Sequence, residues 1–140
     1  MKRKASRFVP DTNVLLSRLL SRTSVPGQAF EHAILHADLV ICRETISEFE
    51  DVLSRPKFDK YLSYKERSAF LLYLRDISLL IESPVPITAC RDPKDDKFLA
   101  LALTGQAEFI LSGDEDLLTL HPFRGIDILN PRQYLDRQRV

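Results

Sequence analysis

Short, mostly apolar runs alternate along this chain with longer stretches in which apolar residues recur every three or four positions. The short runs have the length of strands, and their apolar character suits a sheet that is covered on both faces. These runs are Phe8-Val9, Leu39 to Cys42, Phe109 to Leu111 and Ile126 to Leu129. The pattern therefore predicts four buried strands.

The longer stretches have helical spacing, and several are bounded by residues that interrupt helices. The predicted helices span 14–20, 29–37, 44–53, 64–81 and 92–103. Val25-Pro26-Gly27 separates the first two helices, Arg55-Pro56 stops the third and Gly105 ends the last. Helices that alternate with strands in this way are typical of an α/β fold with a parallel sheet.

Length and composition place the chain among ordinary globular proteins. Its 140 residues and 44% hydrophobic content predict a single domain over 1–140, with a flexible basic tail at 1–6. The formal net charge of zero argues against binding nucleic acid by bulk charge alone. The two cysteines are far apart and are expected to be reduced thiols. We find no signal peptide or membrane-length apolar segment, so the expected location is cytoplasmic.

Acidic residues follow two of the predicted strands. Asp11 comes after Phe8-Val9-Pro10, and Asp114 comes after the strand that ends at Leu111. Because the carboxyl ends of parallel strands share one edge of the sheet, both carboxylates are expected there. Glu48 lies on the polar side of a predicted helix, Asp96 lies in the first turn of another, and Asp116 follows Asp114 closely.

Clustered carboxylates repel one another unless a cation neutralises them. A site of oxygen ligands without histidine or cysteine favours Mg²⁺ or Mn²⁺, which can hold a phosphate oxygen and activate water for in-line attack. Each acid also has a simpler interpretation. Asp11 and Asp114 could be turn or cap residues, Glu48 a solvated surface residue, and the Asp92, Asp95 and Asp96 group a complement to the helix dipole.

Four segments in order resemble the PIN domain, and more closely the VapC-type toxins of toxin–antitoxin pairs. They are FVPDTNVLLS, TISEFEDVL, DPKDDKFLALAL and FILSGDEDLL, and the match extends from Arg7 to about Leu135. The resemblance implies a three-layer α/β/α sandwich on a central parallel sheet. It also implies an endoribonuclease that depends on Mg²⁺ or Mn²⁺, cleaves single-stranded or structured RNA, and pairs with an antitoxin and with a second copy of itself.

The resemblance also assigns roles to residues. It implies that Asp11, Glu48, Asp96 and Asp114 are catalytic metal ligands, with Asp116 as an accessory ligand and Asn13 and Ser112 bracing the acids. Asp96 is preferred to Asp92 and Asp95 for its spacing ahead of Phe98-Leu99-Ala100. Candidate phosphate-binding residues at the rim are Arg18, Arg22, Arg43 and Lys97, and the helix over 64–81 offers Leu72 and Tyr73 to a dimer interface. Pro10 departs from the aliphatic residue usual in the family and is expected to end strand pairing ahead of Asp11.

Other functions stay open at this point. The chain could be a non-catalytic PIN-like interaction module, or a stand-alone RNA-processing nuclease without an antitoxin. His32 and His36 have a spacing that can bind zinc, but no third ligand is evident. A dehalogenase-type phosphatase would need an acid at Asn13, and a receiver domain would need a lysine after a late strand.

Overall fold

The structure is a computed structural model that describes residues 6–138. In this part of the chain, five strands form one parallel sheet with the order β3-β2-β1-β4-β5. The strands are β1 (Arg7–Pro10), β2 (Asp38–Ile41), β3 (Leu79–Leu80), β4 (Phe109–Leu111) and β5 (Asp127–Leu129). The helices are α1 (Thr12–Leu20), α2 (Val25–His36), α3 (Arg43–Leu53), α4 (Tyr64–Ile77), α5 (Asp96–Thr104), α6 (Glu115–Leu118) and α7 (Pro131–Arg137).

Successive residues of the central strands point into two different cores. Phe8 packs with α1, α2 and α7 on one face of the sheet, whereas Val9 packs with α5 on the other. Leu39 and Val40 divide in the same way. Because both faces are buried, the strands are apolar throughout, and the predicted three-layer α/β/α sandwich is confirmed.

Pro10 lies inside β1 and does not disturb its edge facing β4. The pairing of β1 with β2 runs only over Arg7 and Phe8, whereas the pairing with β4 continues to Pro10 opposite Leu111. The next residue, Asp11, still donates its backbone N–H to the Leu111 carbonyl at 2.9 Å. The missing N–H of proline is therefore tolerated, and Asp11 leaves the sheet in a fixed position.

The prediction of a helix over 64–81 was wrong at its end. Helix α4 stops at Ile77, and Ser78 turns into extended backbone. Leu79 and Leu80 then form an edge strand that pairs with Val40 and Ile41, a fifth strand that the sequence pattern did not predict. A short apolar run after a helix fits a further helical turn as well as a strand, and the open edge of β2 decides between them.

The segment Val25-Pro26-Gly27 was predicted to interrupt the helices, but it forms the first turn of α2. The Ser24 side chain caps that turn by accepting from the Gly27 N–H at 3.1 Å, and a proline is well tolerated at this position. The interruption lies earlier, between the end of α1 at Leu20 and Ser24.

Most of the predicted basic tail at 1–6 lies outside the described residues. Ser6 is described and is held by the fold, since its carbonyl accepts from the Asp38 N–H at 2.8 Å. Its hydroxyl also donates to Glu108.

Over residues 6–138, we find no helix with the length and apolar character needed to cross a bilayer.

Candidate active site

An open cavity of about 370 Å³ lies at the carboxyl ends of β1 and β4. Asp11 reaches it directly after β1 and Asp114 shortly after β4. Helix α3 contributes Glu48, and the turn ahead of α5 contributes Asp92 and Asp95. Separate segments thus bring their acids to one hollow, as the parallel sheet predicts.

Asp11 is buried, with 4% of its surface exposed, and both of its carboxylate oxygens are occupied. Oδ1 accepts from the Val14 N–H at 2.9 Å, which caps α1, and Oδ2 accepts from the Ser112 hydroxyl. Burial raises the pKa of Asp11, the nearby Asp114 carboxylate adds to the rise, and the hydrogen bonds oppose it. The cap interpretation of Asp11 is therefore confirmed, and the same residue also lines the cavity with the other acids.

Ser112 connects Asp11 to the second acidic segment. Its side chain is fully buried, and its Oγ accepts from the Asp114 N–H at 3.0 Å while donating to Asp11. Asp114 in turn accepts from the Asp116 N–H at 2.8 Å, which caps α6. This series of hydrogen bonds fixes the two acidic segments relative to each other.

Asp95 completes a compact group of acids. Carboxylate oxygens of Asp95, Asp114 and Asp116 all lie within 4.8 Å of one another, the one such trio of candidate ligands among residues 6–138. Burial, followed by the charges of Asp114, Asp92 and Asp116, raises the pKa of Asp95 to about 7. Its Oδ2 is buried without a hydrogen-bond partner. A buried, unpaired oxygen among like charges is electrostatically unfavourable, and a bound cation would stabilise it.

The structure places Asp96, the ligand predicted at the start of α5, outside the acidic trio. Asp96 points away from the acidic group, and its Oδ1 accepts from the backbone N–H groups of Ala89 and Cys90 at 3.0 and 2.7 Å. These bonds lower the pKa of Asp96. A 3₁₀ turn over Pro93–Asp95 precedes the helix, and this turn directs Asp95, not Asp96, into the cavity.

Glu48 faces the same cavity but already has partners. Its Oε1 lies 2.7 Å from the Lys97 Nζ, and its Oε2 accepts from the Thr12 hydroxyl. Asn13, predicted to brace the acids, is exposed at the cavity wall and forms no hydrogen bond with an acid in the described chain. The bracing hydroxyl belongs to Thr12 instead, a residue that the sequence reasoning missed within the quoted DTNVL segment.

Three of the four predicted phosphate-binding residues lie elsewhere. Arg18 is buried, forms an ion pair with Glu31 and lies over the Phe70 ring, so it stabilises the contact between α1 and α2. Arg22 is exposed in the turn after α1, and Arg43 lines a separate apolar cavity beside β3. The fourth residue, Lys97, lies close to one of the predicted acids, since its Nζ is 2.7 Å from Glu48 Oε1.

Two basic residues that were not predicted line the acidic cavity. Arg55 follows α3 and lies 3.7 Å from Asp51, and Lys94 belongs to the 3₁₀ turn. Both are exposed. Arg91, with 87% of its side chain exposed, forms an ion pair with Asp116 at 2.7 Å. Basic side chains therefore lie at the rim, where the phosphates of a polymer could reach them.

The acidic group fits a hard divalent ion. It offers several carboxylate oxygens, one of them unpaired, and no sulfur or imidazole, which is the ligand preference of Mg²⁺ and Mn²⁺. The alternative of zinc at His32 and His36 is less well supported. The Nδ1 of His32 lies 2.6 Å from the Tyr134 hydroxyl, and neither histidine belongs to a trio of ligands in the described chain.

Comparison with known proteins agrees with this geometry. The model of the PIN domain family matches residues 7–116. Uncharacterized protein MJ1680 of Methanocaldococcus jannaschii is 27% identical over 124 residues, which cover 86% of this chain and 78% of that protein.

Two solved structures share the fold. PAE2754 from Pyrobaculum aerophilum aligns with a TM-score of 0.62 at 17% identity, covering 94% of this chain and 88% of the other. VapBC2 from Rickettsia felis, bound to a DNA fragment from their promoter, contains a chain that aligns with a TM-score of 0.58 at 10% identity. That alignment covers 89% of this chain and 98% of the other.

Proposed function

Because the chain belongs to the PIN domain family, we propose that it is an endoribonuclease that depends on Mg²⁺ or Mn²⁺. The observation that carries the proposal is the buried, unpaired Oδ2 of Asp95 beside Asp114 and Asp116. A trio of carboxylates with an unpaired oxygen is electrostatically unfavourable by itself. It becomes favourable when a divalent ion is bound.

Asp95, Asp114 and Asp116 would hold the ion, with Asp11 adjacent. The ion would neutralise a phosphate oxygen and make water more acidic for attack at phosphorus. Asp11 keeps the site rigid, because Ser112 and the start of α1 fix both of its oxygens. Ser112 also orients Asp114 through the Asp114 N–H, so the two strand ends move as a unit.

The rim residues would position the RNA. Arg55 and Lys94 line the cavity and are exposed, so their charges can contact backbone phosphates on either side of the scissile bond. Arg91 is well exposed and can exchange its bond with Asp116 for a bond with phosphate. Contacts of this kind carry little sequence information, which fits a nuclease that acts on single-stranded or structured RNA.

The direct test is cleavage of RNA by the purified protein with Mn²⁺ or Mg²⁺. We expect cleavage that is lost with EDTA and that leaves 5′-phosphate and 3′-hydroxyl ends. Asp95→Asn and Asp114→Asn should abolish cleavage, whereas Asp96→Asn, whose side chain points away from the acids, should retain it. A folded wild-type protein without activity on either class of RNA would favour the non-catalytic module.

We further propose that the nuclease is the toxin of a toxin–antitoxin pair. The VapC-like motifs and the fold shared with a chain of VapBC2 support this role. Induced expression should then arrest growth, and Asp95→Asn should remove the effect. Co-expression of a small protein encoded beside this one should restore growth and copurify with it. A harmless wild-type protein that cleaves RNA in vitro would favour a stand-alone nuclease.

A homodimer is part of the same proposal. On α4, Leu72 is 62% exposed and available to a second copy, whereas Tyr73 is partly buried against the chain's own core. Sedimentation of wild type and Leu72→Glu would test the interface, since the new charge should favour the monomer. A dimer unaffected by Leu72→Glu would place the interface elsewhere.

A further inference from the structure

The Glu48 carboxylate is neutralised by a cation from its own chain. Lys97 Nζ lies 2.7 Å from Glu48 Oε1, and the two side chains are only 23% and 28% exposed. The other oxygen accepts from the Thr12 hydroxyl. Both oxygens that could bind a metal ion are therefore engaged, in surroundings that screen the ion pair less than open solvent would.

Lys97 is held in place by more than this ion pair. Its ammonium donates to the Lys94 carbonyl, and it lies 5.4 Å from the centre of the Phe98 ring. An ammonium with a carboxylate, a carbonyl and an aromatic face around it is strongly localised. It differs in this from Lys94 and Arg55, which line the cavity of the acids and are exposed.

The acids of the cavity thus divide into two sets. Asp95, Asp114 and Asp116 form a group in which Asp95 has an unpaired oxygen. Arg91, which pairs with Asp116, is largely in solvent. Glu48 lies outside that trio and has a half-buried cation of its own. In nucleases with two metal ions, the two ions lie about 3.5–4 Å apart. At Glu48, the Lys97 ammonium already supplies the neutralising charge.

We propose that the Lys97 ammonium takes the place of a second divalent ion at Glu48, so that the site binds a single metal ion. The inference rests on the proposed function, because it assumes that the Asp95 group binds the first ion. Lys97 is then a positioning residue that fixes Glu48 and sets the metal stoichiometry. Glu48 binds the Lys97 ammonium and is not a ligand of the metal ion.

The test is the number of Mn²⁺ ions bound per chain, measured by calorimetry and by the electron paramagnetic resonance of free Mn²⁺. Wild type should bind one ion. Lys97→Met, which keeps the apolar stem and removes the charge, should bind two, and the Glu48→Gln/Lys97→Met double variant should return to one. Lys97→Arg, which keeps the charge, should bind one ion. Lys94→Met, which changes an exposed lysine that lines the acidic cavity, should also bind one.

A second measurement does not depend on the folding of Lys97→Met. Glu48→Gln alone should leave the Mn²⁺ affinity within about twofold of wild type, whereas Asp95→Asn should weaken it more than about tenfold. Two ions in wild type, one ion in folded Lys97→Met, or a tenfold loss of affinity in Glu48→Gln would each overturn the inference. Wild type that binds no Mn²⁺ would instead overturn the proposed metal site, and the inference with it.

Discussion

Replacing Asp95 by asparagine should stabilise the metal-free protein. The carboxylate is half-buried beside Asp114, Asp92 and Asp116, and burial together with these charges raises its pKa from 3.8 to about 7. Each unit of pKa corresponds to about 1.4 kcal/mol. Because solvent screens a half-buried group, we expect a gain of about 1–2 kcal/mol in the free energy of unfolding near pH 8.

The sign follows from the direction of the shift. The folded-state pKa lies above the unfolded value, so the charged form destabilises the native state at high pH. The penalty is fully present above about pH 7 and disappears as the pH falls towards 4. The advantage of Asp95→Asn over wild type should shrink over the same range.

The assay is urea unfolding with EDTA and with Mn²⁺ in excess. At a hundredfold excess over Kd, Mn²⁺ should stabilise wild type by about 2.7 kcal/mol and Asp95→Asn very little. The matched control is Asp96→Asn, which keeps an oxygen for the Ala89 and Cys90 N–H groups. It should lose about 1 kcal/mol from the weaker hydrogen bonds and keep the full response to Mn²⁺.

Two results would refute this reasoning. If Asp95→Asn is less stable than wild type in EDTA at high pH, like-charge repulsion does not dominate at this position. If Asp96→Asn loses the response to Mn²⁺ while Asp95→Asn keeps it, the sequence-based choice of Asp96 was right.

Three further predictions concern the scaffold. Arg18→Met should lower the free energy of unfolding by about 2 kcal/mol, because it leaves Glu31 without its partner. It should not change RNA cleavage. Impaired cleavage with unchanged stability would support the substrate-binding role predicted from sequence. Gly27→Ala should cost about 2–3 kcal/mol in thermal or urea unfolding, because its Cβ would lie 2.3 Å from a backbone carbonyl oxygen. The control is Gly113→Ala, whose Cβ meets nothing within 4 Å. Equal losses of stability in the two variants would contradict the clash. Burial, and then the charge of a neighbouring histidine, lower the pKa of His32. Wild type should therefore lose stability relative to His32→Gln as the pH falls below 6.5. A stability difference between the two proteins that does not vary with pH would exclude this effect.

The parallel sheet and the position of two acids could be predicted from the sequence. Fully apolar strands require cover on both faces, and an acid directly after such a strand must emerge at the carboxyl edge. Asp11 and Asp114 lie there for that reason. Strand β3 could not be predicted, because Leu79-Leu80 has no pattern of its own and forms a strand only by pairing with β2.

The choice between Asp95 and Asp96 depends on one turn of backbone. Adjacent residues at a helix start point about 100° apart, so an error of one position moves a carboxylate out of the site. The 3₁₀ turn over Pro93–Asp95 sets this direction. The same limit applies to Arg18, whose charge suggests a surface role but whose partner, Glu31, comes from another helix.

The most direct measurement is a crystal structure of the protein soaked in Mn²⁺, with anomalous difference density recorded at a wavelength where manganese scatters anomalously. We predict one strong peak bounded by the carboxylates of Asp95, Asp114 and Asp116, and none between Glu48 and Lys97. Absence of a peak at the acidic trio, at Mn²⁺ concentrations that support cleavage, would contradict the account.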